Sequence, residues 1–212
     1  MRILILTPNF PPEYGGPASY CWELLQRFPP KIDVKVVSFS NLPGDAPVNV
    51  TLVSTDGSML LRQFRLLLAC FRQGQNCDIF YCQEPAVVGF AGLVAAKILG
   101  KKIVVKFFGD PVWEEKMRKR QTQLPLPEFM AKGEQWKDWR SYLTRIVIKL
   151  SNKVIVPSAY LIDILSEYYS LPKDKTIIIY NSTDIATGVN QKTENYTWKK
   201  NLLQLKSLFK SL

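Results

Sequence analysis

Seven short runs of β-branched and aromatic residues recur along this chain, and they limit its fold more than any other feature. They are Arg2–Leu6 (RILIL), Val34–Phe39 (VKVVSF), Val50–Val53, Ile79–Cys82 (IFYC), Ile103–Phe107 (IVVKF), Lys153–Val156 (KVIV) and Thr176–Tyr180 (TIIIY). Several are apolar almost without interruption, the pattern of strands covered on both faces, as in a parallel sheet. Helical periodicity fills the gaps, at Pro17–Phe28, Ser58–Gln73, Pro85–Leu99 and Ser158–Tyr169. In the second of these, Leu60, Phe64, Leu67, Leu68 and Phe71 share a face. The third is apolar nearly all round, as a helix buried on a sheet must be. Ser158 stands where an N-cap belongs, ahead of Asp163 and Glu167. Strand–helix alternation of this kind predicts an α/β fold: a Rossmann-like, doubly wound, mainly parallel seven-stranded sheet with helices on both faces.

Residues 111–150 break the rhythm. They hold Trp113, Trp136, Trp139 and the basic run Lys116–Arg120 (KMRKR), and they are too long for a simple crossover. We read them as a helical insertion beside the sheet. Aromatic residues interleaved with Lys and Arg suit a membrane–water interface or a bulky anionic ligand. A small core belonging to the insertion itself explains the tryptophans equally well, and both readings stay open here.

The chain has 212 residues and no histidine. That excludes Ser-His-Asp and Cys-His nucleophiles, a His base and mixed Cys/His zinc sites, and leaves acid–base work to carboxylates, Lys, Tyr or Cys. The four cysteines, Cys21, Cys70, Cys77 and Cys82, form no CxxC pair and sit in apolar stretches, so reduced, packed thiols are expected. The net charge is +10. Residues 101–149 carry 12 basic against 6 acidic groups, and 196–212 carry 4 against none. Such a field attracts anions. No RRM, KH or helix-turn-helix signature is present, so nucleic acid is not expected as a partner.

In doubly wound sheets ligands bind beyond the carboxyl ends of the strands. Gly15-Gly16 follow the first strand and precede a helix, where free N–H groups and close backbone approach suit a phosphate. Gln83-Glu84-Pro85, Phe108-Gly109-Asp110-Pro111, Pro157-Ser158 and Asn181-Ser182-Thr183-Asp184 close four later strands with small or polar residues. Together they look like one rim of a cleft. There is no GxGxxG fingerprint and no GK[ST] loop, which disfavours NAD binding and Walker-type hydrolysis. No DxD pair or Cys cluster suggests a metal, and no cofactor is called for.

In order and spacing, FPPEYGG, the QEP and FFGD strand ends, NKVIVPSAYLIDIL and IIIYNSTD resemble the N-terminal domain of glycosyltransferase family 4, retaining enzymes of the GT-B type. The resemblance covers residues 1–184. It implies an acceptor-binding domain whose partner domain grips a nucleotide-sugar, with transfer in the cleft between them. Carried onto this sequence, it places Gly15 and Gly16 against the donor diphosphate or the acceptor, and Gly109 and Asp110 toward the acceptor hydroxyl. Ser158 would line the cleft and Asn181 would begin the interdomain linker. Many relatives have His where this chain has Phe108, which leaves Asp110 and Glu84 as the nearest carboxylates for catalysis. In a retaining front-face transfer the leaving phosphate can itself take the acceptor proton.

After residue 184 the resemblance implies a donor domain, and 28 residues remain in this sequence. A polar junction is expected over 185–195. In 196–212 (YTWKKNLLQLKSLFKSL) Trp198, Leu202, Leu205, Phe209 and Leu212 fall on one helical face, which predicts an amphipathic helix packing back on the domain. The expected function is therefore a glycosyltransferase, or the acceptor-binding half of one, acting on a lipid-linked or polysaccharide acceptor. A non-catalytic binding module is the alternative. A donor-domain chain is one expected partner, and an anionic membrane surface is another. The start, MRILILTPNFPP, has too short an apolar run for a signal peptide, so the expectation is a cytoplasmic protein, with peripheral attachment to the inner face of a membrane left open.

Overall fold

Residues Arg2–Thr7 form the first strand, β1, and its alternation divides the core. Ile3 and Ile5 enter one hydrophobic cluster, and Leu4 and Leu6 enter another on the opposite face. All four are fully buried, so both faces of this strand must be covered. The remaining strands are β2 (Asp33–Ser40), β3 (Val50–Ser54), β4 (Ile79–Cys82), β5 (Lys102–Lys106), β6 (Lys153–Val156) and β7 (Thr176–Ile178). They form one sheet in the order β3-β2-β1-β4-β5-β6-β7, and every pair is parallel. This computed structural model describes residues 1–13, 15–40, 46–182 and 196–212. Thr183, Asp184 and the junction expected at 185–195 lie outside the described residues.

Among the described residues eight helices accompany the strands: α1 (Gly16–Arg27), α2 (Met59–Gly74), α3 (Val87–Ile98), α4 (Pro111–Arg118), α5 (Leu126–Ala131), α6 (Trp139–Leu150), α7 (Tyr160–Tyr169) and α8 (Trp198–Lys210). The face holding Ile3 and Ile5 is covered by α1 and α8, whose Leu24, Leu205 and Phe209 are buried in its cluster. The other face is covered by α2 and α3, through Leu66, Cys70, Val88 and Ala95. Gly92 is what lets α3 lie so close: a Cβ there would stand 2.3 Å from Leu6 Cδ1 and 2.8 Å from Cys82 Sγ. The four cysteines are all buried, free thiols.

The insertion folds as α4, α5, a 3-10 turn at Glu134–Lys137 and α6. It shares a third cluster with α7 and β6, built on Phe107, Phe129, Met130, Ile148, Val154, Leu165 and Tyr169. Trp113 and Trp136 pack against that cluster, and Trp113 Nε1 donates to the Leu124 carbonyl at 2.9 Å. Trp139 instead stands at the surface. Arg140 ties the insertion together by pairing with Asp138 at 2.7 Å and with Glu115 of α4.

One local expectation differs. Ser158 does not cap α7: the helix starts at Tyr160 with Ala159 in the cap position and no side-chain cap bond. Its first turn is closed by the backbone, through the Ile162 N–H on the Ala159 carbonyl at 3.0 Å. A tight first turn of this kind satisfies an orphan group without a side chain.

Candidate functional site

From β1 the chain moves to β2 and β3 on one side, and β4 begins the other side, so the order of connection reverses between β1 and β4. A crevice opens beyond the strand ends at such a point. Here it is a cleft of about 650 Å³. Gly16, Pro17, Tyr20 and Glu23 of α1 form one wall. Phe108 and Glu114, from the segment after β5, form the second, and Asn181, Ser182 and Trp198 close it. A smaller pocket of about 110 Å³ shares Pro17, Phe108 and Glu114 with the cleft, and adds Gln83, Glu84 and Gly109. Asn201 of α8 holds the walls together. It accepts from the Tyr20 hydroxyl at 2.8 Å and donates to the Tyr180 carbonyl at 2.7 Å.

The two carboxylates singled out from the sequence both sit at helix N-termini. Glu84 accepts from the backbone N–H groups of Ala86, Val87 and Val88 at the start of α3. Burial pushes its pKa up, and those N–H groups pull the other way. Asp110 is fully buried. Its Oδ1 accepts from Val112 N at 2.8 Å and Trp113 N at 3.1 Å, capping α4. Its Oδ2 accepts from the Ser141 and Tyr169 hydroxyls, each at 2.6 Å. The pKa of Tyr169 is raised, by burial first and then by the neighbouring Asp110 charge. Asp110 thus joins α4, α6 and α7, and it lines neither pocket.

The carboxylate that does face both pockets is Glu114, four residues further on. The residue is open to the cleft, yet protein crowds its carboxyl closely enough for desolvation to raise its pKa to about 7, with the Glu84 and Asp110 charges adding to the shift. Such a group exchanges protons near neutral pH. Gly109 lies directly beneath it, and a Cβ there would come within 3.2 Å of Glu114 Oε1.

Of the other sequence candidates, Gly16 and Asn181 line the cleft. Gly15 is the cap residue before α1, with its Cα hydrogen side against the Asn9 amide, 2.6 Å from where a Cβ would be. Ser158 is half-buried and lines neither pocket. Sequence reasoning missed Glu114, Tyr20, Glu23 and Trp198. Glu114 was detectable: the Asp110-Pro111 pair announces a helix start, and Glu114 then falls one turn along on the side of its cap. No three acidic or cysteine side chains among the described residues cluster in a way that would hold a metal.

The fold and its strand-end cleft define a Rossmann-like α/β protein arranged to bind a ligand at its topological switch point. The sequence profile of Glycosyltransferase Family 4 matches residues 14–187, and the chain belongs to that family. No curated protein matches it in sequence. Among solved structures, it is similar to the UDP-GlcNAc 2-epimerase of Methanocaldococcus jannaschii, with 15% identity and a TM-score of 0.55 over 84% of this chain and 45% of that one. The UDP-GlcNAc 2-epimerase of Neisseria meningitidis, bound to UDP-GlcNAc, is 16% identical with a TM-score of 0.55, over 86% and 46%. An alpha-glucosyltransferase in complex with UDP and a 13-mer DNA is 14% identical with a TM-score of 0.50, over 87% and 43%. At these identities the likeness is one of fold. The chain spans about half the length of each of these structures.

Proposed function

We propose that this chain forms the acceptor side of a retaining glycosyl transfer, in which a sugar passes from a nucleotide-sugar to a lipid-linked or polysaccharide acceptor. The observation that carries this reading is the cleft: in a member of this family, the ends of β5 and β7 and the start of α1 converge on one concave site. The acceptor hydroxyl lies beside Glu114, and the donor diphosphate approaches Gly15-Gly16, where α1 begins with a positive dipole end. The bond from the anomeric carbon to the diphosphate breaks as the acceptor oxygen bonds to that carbon. The proton leaves to the departing phosphate, with Glu114 within the same cleft to orient it. Glu84 and Asp110 serve this chemistry by fixing the starts of α3 and α4, which set the position of Gly109 and Glu114. Asn181 belongs to the rim of the acceptor site, and Ser158 stands outside it. The donor grip comes from a second domain or chain.

The same reading puts the protein at an anionic membrane surface, where lipid-linked acceptors reside. The support is an apolar groove of about 240 Å³ formed by Met59, Leu60, Phe64 and Leu67 of α2 with Phe90 and Trp139. Arg62 and Arg65 lie on the same helix.

The test is transfer from UDP-, GDP- and ADP-sugars, assayed with the chain alone and with a family donor domain joined to it. Turnover that needs both halves and falls in Glu114→Gln supports the proposal. A joined protein that binds acceptor and never turns over supports the binding-module alternative, which the cap roles of Glu84 and Asp110 and the absence of histidine favour.

A further inference from the structure

Strand β5 ends on a lysine that the fold encloses. Lys106 has no solvent exposure, and its Nζ has no hydrogen-bond partner among the described residues. Its backbone pairs with Ile155 of β6. The register that sets Cys82 against Val105 brings Gln83 alongside it on the other flank. Strand alternation then turns Lys106 to the face of Tyr81, Val104 and Ile155, beneath α1 and α8. There Nζ lies 3.5 Å from the centroid of the Tyr20 ring and 4.8 Å from that of Phe108, and both rings are walls of the large cleft. Three further polar atoms are buried without partners at the same strand ends: the Tyr81 hydroxyl and both ends of the Gln83 amide. Tyr81 stands close enough to Tyr20 and to Gln83 for each to influence its ionisation.

A buried ammonium without a counter-ion is costly, and an aromatic ring compensates only in part. Methionine would fill the same space with no polar group to satisfy. The Lys106 amine, the Tyr81 hydroxyl and the Gln83 amide nitrogen are three donors gathered behind the Tyr20 and Phe108 walls of one cleft, and the Gln83 carbonyl oxygen is an acceptor beside them. That is the complement of an anion. We propose that Lys106, with the Tyr81 hydroxyl and the Gln83 amide, forms an anion subsite at the base of the cleft that receives a phosphate group of the bound substrate. This deepens the transfer reading and rests on it for the source of the phosphate, which is either the nucleotide diphosphate or a phosphorylated acceptor.

The empty subsite and the filled one differ by a proton. Burial holds the Lys106 pKa well below the usual lysine value, and a phosphate brings the missing counter-charge, so the amine gains a proton as the ligand enters. Around it, the phenols of Tyr20 and Tyr81 are both pushed up by burial, Tyr20 to about 12, and stay neutral. Ile155 of β6 and Asn201 of α8 do not titrate. Glu23 and Glu114 line the cleft above, and desolvation raises the Glu114 pKa to about 7, so it can take up a proton of its own near neutrality.

The experiment is titration calorimetry on the full chain with pyrophosphate, UDP and glycerol phosphate. It is run at about pH 8 in two buffers of different ionisation enthalpy, so that proton uptake is read directly. Wild type and Glu114→Gln are both expected to take up protons as each phosphate ligand binds. Lys106→Met is expected to bind about tenfold or more weakly, as for a lost charge-assisted hydrogen bond, and in the Glu114→Gln background to gain no proton. Its thermal midpoint should equal or exceed that of wild type, because an unmatched amine has been removed. Preference for pyrophosphate and UDP assigns the phosphate to the donor, and preference for glycerol phosphate assigns it to the acceptor. Unchanged affinity and proton count in Lys106→Met, no phosphate binding by wild type, or a lowered midpoint in the variant each overturn the proposal. Lys106-dependent phosphate binding without any sugar transfer in the joined enzyme would instead overturn the transfer reading and leave the subsite standing.

Discussion

At the residue scale, three acidic side chains within about thirty positions do different work because their surroundings differ. Asp110 has four donors on its two oxygens, all in the interior. Asp110→Ala uncaps α4 and leaves the Ser141 and Tyr169 hydroxyls without an acceptor, at roughly 1–2 kcal/mol for the cap and 1–3 for each buried hydroxyl. The expected total is a loss of about 3–5 kcal/mol in denaturant unfolding. Asp110→Asn keeps a cap oxygen and should lose clearly less. Equal stability of Asp110→Ala and wild type would remove the structural role. Glu114 is the opposite case, a carboxyl held protonated by its site. Its folded pKa of about 7 lies above the ordinary 4.5. The stability it contributes is therefore complete below 4.5 and lost as pH rises through about 7. Glu114→Gln keeps the neutral shape at every pH. Thermal melts should show the variant gaining on wild type between pH 4.5 and 7 and holding a constant advantage above that. A difference flat with pH would mean that Glu114 titrates as an ordinary surface carboxylate. Lys106 was visible in the sequence as the single charge within IVVKF, yet nothing in the residue order says that no carboxylate meets it.

At the scale of elements, the sequence placed β4 and β6 to the residue and the other strands within one position at each end, except β7, which ends two residues early at Ile178 rather than Tyr180. The reason is that double-sided burial leaves strands of this type almost no polar residue, so their edges are sharp. Helix starts were harder to read, as Ser158 illustrates, because a backbone turn can do a cap residue's work. The insertion's tryptophans could not be sorted from sequence at all. Trp113 and Trp136 pack against the third cluster, and Trp139 is surface, because only the packing of α5 and the 3-10 turn decides which indole meets Tyr169. The site was half legible: the strand-end loops mark the rim, but Tyr20 and Trp198 reach the cleft from helices 178 positions apart in sequence. The last helix makes its own prediction. In α8, Leu205 is fully buried and Trp198 stacks on Tyr20 with centroids 5.3 Å apart. Trp198→Lys with Leu205→Lys buries two charges and removes both contacts. A loss of about 5 kcal/mol or more is expected, and with it a midpoint lower by about 10 °C or more. An unchanged midpoint would show that α8 contributes nothing to this core.

At the scale of the whole molecule, charge and apolar surface can be separated. The lysines of α8 ride on a helix whose main apolar face is already buried, so that segment presents Leu203 alone as a largely exposed apolar side chain, too little to insert into a bilayer. The first turns of α2 are different. Leu60 is 79% exposed and Phe64 63%, and Trp139 beside them is 45% exposed, all around one apolar groove. Apolar side chains with a tryptophan at their edge and arginines on the same helix match the headgroup–acyl boundary, where each part finds its own medium. No helix among the described residues is long and apolar enough to cross a membrane, so contact through this face would be lateral. Vesicle sedimentation tests it. Wild type should bind anionic vesicles more strongly than neutral ones, and added salt should weaken the binding without abolishing it, because the apolar contribution is not screened. Leu60→Asp with Phe64→Asp should abolish binding while leaving the melting midpoint in place, since both side chains already face water. Binding that salt eliminates completely and the double variant retains would assign the attraction to the +10 net charge alone, and the α2 face would then have no part in it.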